Sequence, residues 1–527
     1  MNPGGPRPTM PMANPIPRLP IKPPDTGVLN AWDAAAIIVC IVIGTTIFKS
    51  PPLIFGAAGG PWGGLLVWIA GGVLALIGAL CYAELATSFP RSGGDYVYLT
   101  RAFGPLTGFL FGWTQLTIVL TCSIGAMAVV FGEYATKLYD LKALELPIEL
   151  PSMILYAIAA IVVLTLLNFV GVVVGKWAQN LLSLLKIGGV IAIIVAGLGW
   201  PQSNPFDGAQ WPNSTVDHWT WGSLSIILVM YAYGGWNDAA FVAAEVRDPK
   251  RNIPRALIYG VGVIMILYIL VNLAYLVGLG YDDAKKFGEL PPLKVLNRAF
   301  GAESAKILSV VIMVSALGAV NSLIFAGARV YAVLGNDHGL FGWMGHWKPG
   351  RRSPFLALTV QAVIALSVII AFGTSFGHGL VDSALEAVSA ASNWVVGFLP
   401  GKWEEIDVGM EKNWVAGKAF ENLFGISAPF FWVFFLMTGF SLFALRDQKP
   451  ANQRPFSVPL YPFLPFAFCC MCIYMIYKSV LYVQTPRAQF GLGMTPVLIV
   501  FAVIVLLGVP LYFISRSIGY HEGGDDE

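Results

Sequence analysis

Two apolar segments of the chain are interrupted by residues that expose backbone hydrogen-bonding groups. Residues 42–48 read VIGTTIF, and residues 231–238 read YAYGGWND. Glycine and threonine weaken a helix, and paired glycines within an apolar run allow it to unwind. N–H groups freed near Thr45 would bind an anion such as a carboxylate. An ammonium group would find acceptors in the carbonyl oxygens freed at Val42, Tyr231 and Gly234. The two interruptions together predict a site for a zwitterion.

Glycine pairs have a second ordinary use, which is the close packing of membrane helices. We assign that use to Gly71-Gly72 and Gly188-Gly189. The interruptions at Gly44 and at Gly234-Gly235 differ, because two matching breaks in separate apolar segments are typical of a binding site between discontinuous helices.

Lys186 is an ionisable residue inside an apolar segment. It follows Lys176 by ten residues, which is about 15 Å along a helix. An ionised lysine near the bilayer midplane costs roughly 2.5–3.5 kcal/mol on insertion scales, so it should face the protein interior and find partners. A lysine that snorkels to the interface is the alternative. Carbonyls of the first apolar segment and hydroxyls such as that of Ser315 are expected to hold it.

Other polar residues of the apolar segments have weaker assignments. Tyr268 and Asn272 lie one helical turn apart and could add polar contacts to the site, although core packing is the simpler role for the tyrosine. Glu84 and Glu245 are expected to form salt bridges with loop arginines such as Arg91 and Arg247.

The composition of the chain indicates that these polar residues are held by membrane-spanning helices. Apolar residues make up 56% of the 527 residues, charged residues only 12%, and the mean hydropathy is +0.70. A soluble domain carries about a quarter charged residues. Segments of roughly 20 apolar residues, enough to cross a bilayer, recur along the chain. The predicted twelve spans are 34–56, 62–88, 104–135, 152–171, 177–199, 220–245, 255–278, 304–334, 355–372, 425–445, 460–482 and 495–515.

The distribution of Lys and Arg orients these spans. Basic residues are more numerous in the loops on the N-terminal side, which predicts that both termini are cytoplasmic. The first and sixth spans then run in opposite directions, as expected for an inverted repeat. The predicted organisation is a Pro-rich disordered tail (1–30), an all-α membrane domain (31–515) with an extracellular insertion at about 375–424, and an acidic tail (516–527).

Four stretches of the chain resemble the amino acid–polyamine–organocation superfamily, in particular the branch of L-type amino acid transporters and their bacterial relatives. They are residues 43–48 (IGTTIF), 82–96 (YAEL leading to SGGDY), 231–237 (YAYGGWN) and 245–254 (EVRDPKRNIP). The resemblance extends over about residues 30–515, apart from 375–424. It implies a five-plus-five inverted-repeat fold with two additional C-terminal helices.

The resemblance also implies residue roles. Carboxylate capture would lie near Gly44, Thr45 and Thr46, and carbonyls of both broken spans would hold the amine. Tyr231 would be an aromatic gate over the substrate, and Lys186 would stand where sodium-coupled relatives bind a cation. The expected substrate-binding set is Val42, Ile43, Gly44, Thr45, Thr46, Tyr231, Gly234 and Asn237.

Three departures from that branch carry expectations of their own. Thr46 stands where glycine is common, so the carboxylate cradle is narrower or gains a hydroxyl donor. The loop at 136–150 lacks the cysteine that animal members use to link a heavy chain, so no disulfide-linked partner is expected. The insertion at 375–424 contains three tryptophans. It would either cap the outer vestibule or rest on lipid.

Several function classes are excluded or left open. The five histidines are scattered and none has the spacing of a helical zinc site, so we expect no enzyme, no metal and no cofactor. Nothing indicates nucleic-acid binding, and the expected partners are the lipid bilayer and a small solute. The expected function is sodium-independent transport of a neutral L-amino acid across the cell membrane, by exchange or proton symport. A non-transporting receptor and a transporter of cationic amino acids or polyamines remain the alternatives.

Overall fold

A computed structural model describes most of the chain between residues 29 and 518. The described residues are 29–141, 150–201, 221–286, 290–346, 353–374, 376–377, 379–380, 383, 419–446, 448, 454–484 and 495–518. The predicted tails up to residue 28 and from residue 519, the loop residues 142–149 and most of the insertion at 375–424 lie outside these ranges, as do the expectations placed on them.

Helices dominate the first half of the described chain. They are α1 (Ala31–Val42), α2 (Thr46–Lys49), α3 (Pro51–Ala57), α4 (Pro61–Ser88), α5 (Asp95–Phe103), α6 (Pro105–Thr114), α7 (Leu120–Leu138), α8 (Ser152–Val170) and α9 (Val172–Gly199). A π-helical stretch at Gln115–Val119 joins α6 to α7.

The second half continues in the same way. It contains α10 (Trp221–Ala232), α11 (Pro249–Leu279), α12 (Tyr281–Ala284), α13 (Pro291–Phe300), α14 (Ser304–Asp337), α15 (Phe355–Gly373), α16 (Ala419–Arg446), α17 (Phe463–Gln484) and α18 (Thr495–Ile518). Short 3₁₀ segments lie at Trp236–Glu245, Gly301–Glu303 and Gly339–Gly345.

Helix starts follow local sequence signals. Five helices begin with proline at the first position, where its missing N–H is not needed and its fixed φ suits the helix. The α1 start is set by a capping box. Asn30 Oδ1 accepts from the Asp33 backbone N–H at 2.9 Å, and Asp33 Oδ2 accepts from the Asn30 N–H at 2.9 Å. This box places the start at Ala31, three residues before the predicted residue 34.

Nine helices of the described chain are long and apolar enough to cross a membrane. Two shorter apolar helices, Ala31–Val42 and Ala502–Ile518, lie at either end of the described chain. The nine long helices overlap nine of the predicted spans, and the described chain is helical, as expected of a multi-pass membrane protein. Helix Ala31–Val42 covers only the first part of the predicted span 34–56.

The first helix lies at the centre of the helical packing. α1 contacts α9, α11 and α14, while α11 packs along α4 and α14 along α7. At the face where α1 begins, which we call the N-terminal face, Leu29 forms an isolated bridge with Val246. Its N–H donates to the Glu245 carbonyl at 2.9 Å, and its carbonyl accepts from the Arg247 N–H at 2.7 Å.

Candidate functional site

The first helix break lies between α1 and α2. α1 ends at Val42, and Gly44 makes a tight turn in which its N–H donates to the Val42 carbonyl at 2.7 Å. A Cβ on Gly44 would meet only ordinary contacts, with Met127 Cε at 3.8 Å and the Val42 oxygen at 3.9 Å. The helix resumes at Thr46. Because the first N–H groups of a helix have no partner within it, this break presents backbone donors.

The second helix break follows α10. Residues 233–235 form a turn in which the Gly234 N–H donates to the Tyr231 carbonyl at 3.2 Å. Gly235 has φ +98°, a left-handed conformation that favours glycine. A Cβ there would lie 2.4 Å from Ile41 Cγ2. The glycine therefore permits the second break to approach α1 directly.

A single hydroxyl joins the two breaks. Tyr268 Oη on α11 lies 2.8 Å from the Val42 carbonyl oxygen and 3.0 Å from the Ala232 carbonyl oxygen. Its ring packs against Trp68 and Tyr233, with centroids at 5.3 and 5.0 Å. The residue expected chiefly to fill the core thus has its one hydroxyl proton within reach of two carbonyls, one where α1 ends and one where α10 ends.

Further polar groups surround the first break. Ser315 Oγ on α14 donates to the Ile43 carbonyl at 2.9 Å. Thr45 is 1% exposed, and its hydroxyl has no hydrogen-bond partner among the described residues. Asn272 Nδ2 donates to the Tyr268 carbonyl at 2.8 Å, while its buried Oδ1 has no partner within the same ranges. A buried polar atom without a partner is costly, so Thr45 is suited to a polar ligand.

Lys186 is fully buried and reaches the last turn of α1. Its Nζ donates to the Cys40 carbonyl at 2.5 Å, and no acidic side chain of the described residues forms an ion pair with it. Ser315, expected to help hold it, instead bonds the Ile43 carbonyl. The lysine places an ammonium group two residues before the helix end at Val42.

The remaining predicted site residues lie around these groups. Thr46 and Tyr231 are partly exposed beside the first and second breaks, respectively. Asn237 lies beyond the second break and is 3% exposed. Its Nδ2 donates to Asp238 Oδ1 at 3.0 Å. The structure thus brings the residues of the two breaks together. Asn237 is buried beside them, in the segment that follows the second break.

Both glutamates form the expected salt bridges with arginines, although not with the two arginines named as examples. Glu84 pairs with Arg446 at 3.2 Å and also accepts from the Val458 N–H at 2.6 Å. Glu245 pairs with Arg329 at 2.9 Å. These partners are far from the glutamates in sequence. The signal that could have found one pair is Arg329 itself, since an arginine inside an apolar span requires a buried partner.

Comparison with known proteins places the chain among transporters. Residues 29–509 match the family model described as amino acid permease. The serine/threonine exchanger SteT of Bacillus subtilis (strain 168) is 26% identical over 482 residues, covering 91% of this chain and 94% of that protein. The b(0,+)-type amino acid transporter 1 of Oryctolagus cuniculus is 32% identical over 355 residues, 63% of this chain and 68% of that protein. Large neutral amino acids transporter small subunit 2 of Rattus norvegicus is 29% identical over 433 residues, 78% of this chain and 75% of that protein.

Proposed function

Because the chain belongs to the amino acid permease family, we propose that it transports neutral L-amino acids across the cell membrane by alternating access. Transport is independent of sodium and runs as exchange or proton symport. The expectation that the chain is a transporter and not an enzyme agrees with the family and its relatives. The substrate class and the coupling are the new parts of the proposal.

The observation that carries the proposal is the meeting of two helix breaks at Tyr268. The first break offers the N–H groups of Thr45 and Thr46 and the unpartnered Thr45 hydroxyl for a carboxylate. Carbonyl oxygens at Val42, Tyr231 and Gly234 would accept from the substrate ammonium. Each carbonyl has two lone pairs, so the Tyr231 carbonyl, which accepts from the Gly234 N–H, can still accept another hydrogen bond. The Val42 carbonyl already accepts from Gly44 and Tyr268, so the ammonium would have to displace one of these donors.

A neutral side chain is favoured by the placement of the nearest carboxylate. Asp238 accepts from Asn237 and interacts with Asp95 on the N-terminal face, so it is not directed at the breaks. Two of the relatives, a serine/threonine exchanger and a large neutral amino acids transporter, support the same class. Cationic amino acids and polyamines would need an acidic group beside the site.

Lys186 supplies the positive charge of a cation site. Two like charges a few ångströms apart in a low-dielectric interior repel strongly, so a bound sodium ion beside the Lys186 ammonium is disfavoured. The ammonium already donates to the Cys40 carbonyl near the C-terminal end of α1, where the helix dipole places partial negative charge. This arrangement supports sodium-independent transport.

The proposal includes the arrangement of the chain in the membrane. Twelve spans form a five-plus-five inverted repeat with two additional helices, and both termini are cytoplasmic. The N-terminal face is then the cytoplasmic face. The predicted loop at 136–150 contains no cysteine, so we expect no disulfide-linked heavy chain.

Two steps test the substrate class. Purified protein is screened by thermal shift against the amino acids and putrescine, and the stabilising compounds are then tested for uptake into liposomes. Stabilisation and uptake of small or large neutral L-amino acids would support the proposal. Strong uptake of arginine or putrescine that alanine and leucine do not compete would overturn the neutral class, and binding without uptake would indicate a receptor.

A further inference from the structure

A glycine turn brings α5 against the segment that follows the second break. The Gly93 N–H donates to the Phe241 carbonyl at 3.0 Å. Gly94 has φ +49°, and a Cβ there would lie 3.0 Å from the carbonyl carbon of Ala240. Backbone therefore rests directly on backbone, and Asp95, the next residue, is held beside the segment Trp236–Glu245 on the N-terminal face.

Asp95 is a buried carboxyl group that is only half satisfied. Its Oδ1 accepts from the hydroxyls of Tyr82 and Thr438, the latter at 2.6 Å. Its Oδ2 is buried and has no hydrogen-bond partner among the described residues. Burial, which disfavours the charged form, raises the pKa of the Asp95 carboxyl from 3.8 to about 6. The unsatisfied oxygen is therefore the natural position for a proton.

Asp238 is a second buried carboxyl group close to the first. It is 5% exposed, and the charges of Asp95 and Asp238 act on each other. The amide of Asn237 lies between them, because its Nδ2 donates to Asp238 at 3.0 Å and also interacts with Asp95. The buried Oδ1 of Asn237 has no partner within the described chain. Two acceptors, Asp95 Oδ2 and Asn237 Oδ1, thus remain unpartnered at one place.

The surroundings supply no compensating positive charge from the described residues. The titratable groups that face the two carboxyls are Tyr82 of α4, Tyr98 of α5 and Tyr331 of α14, and Cys472 of α17 lies beyond Tyr82. The nearest arginines are bonded elsewhere, Arg329 to Glu245 and Arg446 to Glu84. Two carboxylates that share a buried site cannot both ionise without a large cost.

We propose that Asp95 and Asp238 form a single proton-binding site that controls the closure of the N-terminal face. With one proton bound on Asp95 Oδ2, the segment Trp236–Glu245 packs against the Gly93–Asp95 turn as observed. With the proton lost, repulsion between the two carboxylates drives the segment away. The inference rests on the proposed function, because that segment continues the helix that breaks at Gly234.

A proton fits this site better than a metal ion. A metal ion needs several oxygen lone pairs directed at it, whereas Tyr82 and Thr438 direct hydroxyl protons at Asp95 Oδ1. Protonation of Asp95 Oδ2 turns one of the two unpartnered acceptors into an O–H donor.

The first test measures thermal unfolding of the purified protein between pH 4.5 and 7.5. A carboxyl whose pKa is raised in the folded state binds protons more tightly there than in the unfolded state, so stability falls as pH rises through the window from 3.8 to about 6. We expect the melting temperature to drop by at least 2 °C across this range. Asp238→Asn should raise the melting temperature at pH 7.5 and flatten the profile, and Asp95→Asn should do the same.

The control is Asp282→Asn, since the side chain of Asp282 is 88% exposed in α12. This variant should keep the parent profile. A parent profile that is flat, or that Asp238→Asn and Asp95→Asn both leave unchanged, would overturn the proton site. A different outcome would also overturn the proton site: sodium chloride but not choline chloride stabilises the parent at pH 7.5, and Asp238→Asn abolishes this effect. The site would then bind sodium.

The second test measures exchange of labelled L-serine in liposomes while the pH facing the N-terminal face is varied. Acidification from pH 7.5 to 5.5 should slow exchange by the parent at least threefold and by Asp238→Asn less than 1.5-fold. Equal pH responses in parent and variant would contradict the proposal that the Asp95–Asp238 site controls closure of the N-terminal face. Absence of exchange in every variant would count against the proposed transport of neutral amino acids, while the unfolding profiles still decide whether the proton site exists.

Discussion

The Lys186 ammonium nitrogen lies 2.5 Å from the carbonyl oxygen of Cys40, in the last turn of α1. Carbonyls at a helix C-terminus carry partial negative charge, so a cation is favoured at this place. The lysine is fully buried, and the helix breaks immediately beyond its acceptor. Lys186 of α9 thus places a positive charge beside the first break, where we propose that the substrate carboxylate binds.

Replacing Lys186 should separate transport from folding. Lys186→Ala removes the charge and leaves the Cys40 carbonyl without its donor, and we expect uptake to fall at least tenfold. Insertion and yield should remain, because removing a charge from the membrane interior does not oppose insertion. Uptake into liposomes and size-exclusion profiles measure the two effects. Lys306→Ala, in an exposed surface pair, is the control, and normal uptake by Lys186→Ala would refute the role.

Tyr268→Phe tests the link between the two breaks. The variant removes a hydroxyl that contacts the Val42 and Ala232 carbonyls, and an unsatisfied buried carbonyl costs about 1–3 kcal/mol. We expect a lower melting temperature and weaker substrate binding. Tyr275→Phe is a matched control, since Tyr275 is buried in the same helix and its hydroxyl has no partner among the described residues. Equal behaviour of the two variants would argue against the link.

Gly235→Ala should disrupt the second break. The added Cβ would lie 2.4 Å from Ile41 Cγ2, and φ +98° strains any L side chain. We expect loss of uptake together with a lower melting temperature. Gly262→Ala adds a methyl group in α11, where nothing lies within 4 Å, and should be neutral or slightly stabilising. Full uptake by Gly235→Ala would show that transport does not need the close contact between Gly235 and Ile41 of α1.

The buried pair Arg329–Glu245 should contribute strongly to stability of the N-terminal face. Removing one partner of a buried ion pair costs about 3–5 kcal/mol, because the other charge is left uncompensated. Glu245→Gln should therefore lower the melting temperature clearly, and the double variant Glu245→Gln/Arg329→Met should recover part of the loss. Glu303→Gln, in the exposed pair with Lys306, should change little. Additive losses in the double variant would contradict the pairing.

Features set by neighbouring residues could be predicted from the sequence. The breaks at Gly44 and Gly234 were expected because glycine and threonine weaken a helix within one turn, and both breaks are observed. The family was also recognised from local stretches such as residues 231–237, and the family match confirms it. The Asn30–Asp33 capping box was equally local but was overlooked, which misplaced the start of α1.

Features set by packing between distant segments could not be predicted. The Glu84–Arg446 pair and the Asp95–Asp238 pair join residues that no local pattern relates. Tyr268 was expected mainly in the core because a tyrosine in an apolar helix usually packs there, whereas its hydroxyl has two acceptors. Only the three-dimensional crossing of α1, α10 and α11 reveals that role.

The most direct test of the proposed transport is uptake of labelled L-serine and L-leucine into liposomes containing the purified protein, in sodium buffer and in choline buffer at the same pH. The account predicts saturable uptake of at least one of the two, at equal rates in both buffers, which unlabelled neutral L-amino acids compete and Lys186→Ala abolishes. Uptake that requires sodium, or no uptake of either amino acid above that of protein-free liposomes, would contradict it.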